Sequence, residues 1–172
     1  MTDISQLIQS SIDTKKKLLD DKETIQTIKK VAEITALALQ QGNKALFCGN
    51  GGSAADAQHI AAELSGRFYT DRDPLYAEAL HVNTSFLTAV ANDYSYDVVY
   101  SRMLKGCGRK GDVLFAISTS GNSKNIVNAI EEAKKQNWLG RLAPPLSTRY
   151  TQGRRFCCAT SCARRCFLTV MG

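Results

Sequence analysis

No stretch of the 172-residue sequence runs to 18 consecutive apolar residues. A membrane-spanning helix, which needs about 20, is therefore not expected. The opening residues, MTDISQLIQSSIDTKKKLLDD, lack the basic start and apolar stretch of a secretory signal. With both absent, the cytoplasm is the expected compartment and no membrane partner is expected. The phosphate-loop pattern GxxxxGK[ST] is also absent, which excludes a Walker-type nucleotide site. The longest segment without an acidic residue takes in residues 137–172, which hold six arginines and no Asp or Glu.

That local lack of acid explains the net charge of +6. Set aside the six arginines, and 16 basic residues balance 16 acidic ones. The first 136 residues are thus electrically neutral and give no sign of a nucleic-acid-binding face. Cysteine divides in the same way. Cys48 and Cys107 lie in the neutral part, and Cys157, Cys158, Cys162 and Cys166 crowd into the last segment. A disulfide framework is not expected without a secretion signal, and the cysteine spacing fits no defended zinc pattern. The last segment has no clean period. Its composition marks either a mobile extension or a read-through in the wrong frame, and favours the second.

Ahead of it the pattern is regular. Ile4, Leu7, Ile8, Ile12, Leu18 and Leu19 keep a helical period, as do Ile25, Ile28, Val31, Ala32, Ile34, Ala38 and Leu39. Such leading apolar helices pack either on another subunit or on their own domain, and the pattern does not choose. Short apolar runs at 44–49 (KALFCG), 77–82 (AEALHV) and 112–118 (DVLFAIS) read as strands. Helical stretches are expected at 54–64, 84–91, 96–105 and 124–136. Strands alternating with helices predict an α/β fold, a three-layer sandwich around a central parallel sheet with two helices in front.

Two small polar turns link a strand to a helix. The first is Gly49-Asn50-Gly51-Gly52-Ser53, and the second is Ser118-Thr119-Ser120-Gly121-Asn122-Ser123. In an open parallel sheet both emerge at the carboxyl ends of strands, where ligands bind. A helix N-terminus presents backbone N–H groups and a positive dipole end to an anion. The second turn adds four hydroxyls and no cation, which suits a phosphate monoester, although a serine N-cap would also explain it. In the first turn, Ser53 with Asp56 resembles a capping box that needs no function. Beyond it, His59 and Glu63 stand four apart on one helix face. They could ligate a metal or act as a base, or form an ordinary polar pair.

Residues 44–136, through CGNGGSAADAQHIAAELSGRF, TAVANDYSYDVVY and GDVLFAISTSGNSKNI, resemble the sugar isomerase (SIS) domain family and within it the phosphoheptose isomerases. The resemblance implies a flavodoxin-like fold and a homo-oligomer, a tetramer. It also implies conversion of sedoheptulose 7-phosphate to D-glycero-D-manno-heptose 7-phosphate, toward ADP- or GDP-heptose and lipopolysaccharide. It assigns phosphate binding to Ser118, Thr119, Ser120 and Ser123. It assigns sugar contacts to Asn50, Gly51, Gly52, Glu63, Asn92 and Asp93. It implies zinc on His59 and Glu63, with Glu63 also moving the proton.

The family takes two further zinc ligands, a glutamine and a histidine, from its C-terminal region. Here His59 and His81 are the only histidines, and Gln152, the one glutamine beyond Gln136, has surroundings that do not match. Isomerisation carries a proton between C1 and C2 through an enediol, so one base must reach both carbons. Without the second acid–base group, low activity is expected of this chain. The competing reading is a non-catalytic SIS protein that binds sugar phosphates or a replication initiator. The presence of both His59 and Glu63 favours the isomerase.

Overall fold

The computed structural model describes residues 3–136 and 167–171. Two helices lead, α1 (Ile4–Asp20) and α2 (Lys22–Gln40). Asp3 caps the first by accepting from the Ser5 amide at 3.0 Å. Asp21 ends it and caps the second, accepting from the Thr24 amide at 2.9 Å and the Thr24 hydroxyl at 2.7 Å. After Gly42, at φ +80°, come β1 (Ala45–Gly49), α3 (Gly52–Ser65) and β2 (Ala77–Ala79). Then follow α4 (Thr84–Asp93), a 3₁₀ turn (Tyr96–Val98), α5 (Val99–Cys107), β3 (Val113–Ser118) and α6 (Lys124–Lys135).

The strands lie in the order β2-β1-β3-β4, where β4 is Phe167–Met171. The first three are parallel, and β4 pairs antiparallel with β3. The expected α/β sandwich with its parallel sheet is thus present. The antiparallel edge was not read from the sequence, because FLTVM is too short to show a period. The remaining expectations for 137–172, including Gln152 and the four clustered cysteines, lie outside the described residues. At β2 the run AEALHV turns at Leu80 and His81 instead of continuing to Val82.

Alternation along the strands sorts the core into two faces. Leu46, Cys48, Leu114 and Ala116 meet Val90, Val99, Tyr100, Leu104, Ile126, Ala129 and Ala133 from α4, α5 and α6. On the opposite face Ala45, Phe47 and Ile117 meet Ala57 and Ala61 of α3. Phe47 stacks on Phe115 at 4.6 Å, and Val31 and Ala38 of α2 close over Val113. Each fully buried Leu or Phe contributes roughly 1.5–3 kcal/mol. At the amino ends of β1 and β3, Asp112 is 1% exposed. It pairs with Lys44 Nζ at 2.8 Å and accepts from the Lys44 and Arg109 amides at 2.9 and 2.7 Å.

α1 differs from the other helices in having no buried residue. Ile4, Leu7, Ile8 and Ile12 are all exposed. Among the described residues, nothing buries the apolar stripe of the leading helix. Among the described residues no helix is long and apolar enough to cross a membrane.

Candidate functional site

Register places the two turns side by side. Gly49 pairs with Ile117, so Asn50 stands level with Ser118 where both strands end. β1 connects through α3 to β2 on one side and neighbours β3 on the other. Such a point, where the chain departs in opposite directions, opens a crevice at the carboxyl ends of the strands.

The first turn is shaped by glycine. A Cβ on Gly49 would lie 2.4 Å from the Ser53 carbonyl oxygen, so only glycine lets α3 start this close to β1. Gly51, at φ +55°, is the N-cap of α3, and no side chain caps that helix. The capping-box reading of Ser53 and Asp56 is thereby corrected: the helix begins two residues earlier, and Ser53 lies buried within it.

In the second turn the Ser118 hydroxyl accepts from the Gly121 amide at 3.0 Å, and the Ser120 hydroxyl from the Asn122 amide at 3.1 Å. The Ser118 hydroxyl keeps its own proton to donate. Thr119 and Ser120 are exposed, and Gly121 takes φ +72°. Ser123 occupies the N-cap of α6, yet its side chain makes no capping bond. The plain N-cap explanation of that serine does not hold. Lys124 turns away to Asp97, at 3.6 Å.

Between the turns lies a network that sequence reasoning missed. Asn50 Nδ2 donates to Asn125 Oδ1 at 2.9 Å, and Asn125 Nδ2 donates back to Asn50 Oδ1 at 2.8 Å. The Tyr96 hydroxyl donates to the same Asn50 oxygen at 3.3 Å, and the Tyr100 hydroxyl donates to the Gly49 carbonyl. One signal was available. Asn125 is spaced by four from Ala129 and Ala133, so a polar residue occupies the buried face of α6. Burial, with Tyr96 beside it, raises the Tyr100 hydroxyl above its usual range. Burial also pushes the Cys48 thiol up to about 12. Both groups stay neutral at physiological pH.

His59 Nε2 and Glu63 Oε1 lie 3.2 Å apart on α3, with side chains 74% and 36% exposed. The Glu63 carbonyl accepts from Arg72 at 2.8 Å. Eleven positions along α3 separate Gly52 from Glu63, a rise of about 16 Å. Asn92 and Asp93 also stand outside the hydrogen-bonded cluster. They are exposed at the end of α4 and bonded to each other at 3.0 Å.

Zinc needs three or four donors. His59 and Glu63 offer one nitrogen and one carboxylate. Among the described residues no group of three or more His, Cys, Asp or Glu could hold a metal. Among the described residues, His59 and Glu63 by themselves do not complete a zinc site.

The crevice of this open α/β sheet is bordered by hydroxyls and by two helix starts without side-chain caps. The family model described as SIS domain matches residues 9–138. The phosphoheptose isomerase of Clostridium acetobutylicum is 52% identical over 128 residues, 74% of this chain and 65% of that protein. That of Mycobacterium tuberculosis is 48% identical over 130 residues, 76% and 66% respectively. Among solved structures, the Neisseria gonorrhoeae phosphoheptose isomerase is 41% identical with TM-score 0.68, over 78% of this chain and 68% of that one. The Francisella tularensis structure is 34% identical with TM-score 0.71, over 78% and 69%. The chain belongs to the SIS domain family and groups within it with the phosphoheptose isomerases. It spans just under two thirds of the length of these curated relatives.

Proposed function

We propose that this protein is an aldose–ketose isomerase acting on a phosphorylated heptose, sedoheptulose 7-phosphate, with D-glycero-D-manno-heptose 7-phosphate as product. The observation that carries this reading is the pair of uncapped strand-to-helix turns meeting at the β1–β3 crevice. Ser118, Thr119, Ser120 and Ser123 hold the phosphate through hydroxyls and backbone amides, and the binding energy positions the sugar. The turn at Asn50, Gly51 and Gly52 faces the sugar, and Asn92 and Asp93 border it.

Glu63 is the base. It takes the proton from C1 of the ketose to give an enediol and returns it at C2, while the oxygens exchange one proton. Oxidation at one carbon matches reduction at its neighbour, so no redox cofactor is needed. The separation along α3 gives this reading a quaternary requirement: Glu63 of one copy serves the turns of another. The exposed stripe of α1 supports such a homo-oligomer, for which a tetramer is proposed.

Complementation tests the reading. Glu63→Gln and the double variant Ser120→Ala/Ser123→Ala are each expected to be inactive on sedoheptulose 7-phosphate. Co-expressed, they should form mixed oligomers with some intact sites and recover measurable turnover. No recovery from mixed oligomers would place the whole site within one chain. Binding of the sugar phosphate without turnover, by the unaltered protein, would favour the non-catalytic reading.

A further inference from the structure

The amide pair between the two turns has no evident place in proton transfer, and its composition calls for a reason. Asn125 is 3% exposed, on a buried helix face it shares with Ile126, Ala129, Glu132 and Ala133. A buried amide against a half-buried one costs free energy unless the two are paired. Here each amide is paired with the other across 75 residues of sequence. The acceptor capacity is filled on both sides. Asn50 Oδ1 receives Asn125 and Tyr96, and Asn125 Oδ1 receives Asn50 and the Ile126 amide at 3.0 Å. That Ile126 bond fixes which end of the Asn125 amide is the carbonyl, and so fixes the polarity of the pair.

Tyr100, reaching from α5 to the Gly49 carbonyl, holds the same turn from a second side. Among the described residues, nothing lies within 4 Å of where a Cβ would stand on Gly51 or Gly52.

We propose that Asn125, acting through Asn50, is a positioning residue. It sets the first turn against the second, so that a ligand whose phosphate sits at Ser118–Ser123 meets the Asn50–Gly52 backbone at a fixed distance. This rests on the sugar-phosphate reading and adds to it a residue that selects for the sugar and not for the phosphate. The oxygen of Asn50 is committed to protein partners, so the turn meets ligand through its backbone and one remaining Asn50 N–H.

Calorimetry with two probes, inorganic phosphate and sedoheptulose 7-phosphate, tests the assignment on the full chain. In Asn125→Ala, phosphate affinity should stay within about twofold of the unaltered protein, and sugar-phosphate affinity should fall about tenfold. The double variant Asn50→Ala/Asn125→Ala should lose no more than Asn50→Ala alone. Asn125→Asp keeps the shape and the Ile126 bond but sets an acceptor against the Asn50 oxygen. It should show the same split, and it serves if the alanine variant fails to fold. Equal loss for both probes, or losses that add in the double variant, would overturn the positioning role. If the unaltered protein binds neither probe, the sugar-phosphate reading itself falls, and the positioning role with it.

Discussion

Single residues decide whether the two turns can form. Gly49 is the sharpest case: alanine there would drive a methyl into the Ser53 backbone. Gly49→Ala should lower stability by about 1–3 kcal/mol and weaken phosphate binding together. Denaturant unfolding with wild-type stability would refute the close approach. Asp112 holds the far ends of the same two strands. Asp112→Ala leaves two amides and a largely buried ammonium unpaired, and should cost about 3 kcal/mol; a loss below 1 kcal/mol would show that the latch carries little. Cys48, buried and with its thiol pushed up to about 12, should resist alkylation at pH 8 in the folded protein and react once unfolded. Peptide mapping by mass spectrometry reads this directly. The glycines and serines of both turns were legible in the sequence, because backbone requirements are local. The Asn50–Asn125 bond was not, because it depends on strand register across 75 residues.

At the scale of elements, the helices differ in how their starts are satisfied. Asp3, Asp21 and Asn83 cap α1, α2 and α4 through their side chains, whereas α3 and α6 at the crevice have no such cap. Asn83→Ala should therefore cost about 1 kcal/mol. Ser123→Ala should leave thermal stability nearly unchanged while weakening phosphate binding. Equal destabilisation by the two substitutions would mean that Ser123 is an ordinary cap. Sequence period located every helix and the three parallel strands, with ends shifted by one to three residues. It could not show that α1 leaves its stripe uncovered, since amphipathic period gives a face but not its partner. Ile8→Lys on that stripe should dissociate the oligomer, which light scattering would report as a drop in mass. An unchanged mass would remove α1 from the interface.

For the whole molecule, the order β2-β1-β3 is what converts two separate turns into one crevice. Neither that order nor the register is written in any local pattern. Strand pairing is a long-range choice among similar apolar runs, which is why the fold class was legible and the juxtaposition of turns was not. The same scale governs the reaction. On the proposed reading, a base about 16 Å along α3 from the glycine turn makes catalysis a property of the assembly. The most direct test is proton exchange at C1 of sedoheptulose 7-phosphate in deuterium oxide, followed by NMR, because it detects enediol formation even where net turnover is slow. The protein should introduce deuterium at C1, and Glu63→Gln should slow this by ~10²–10⁴-fold. Exchange at an undiminished rate in Glu63→Gln would contradict the account.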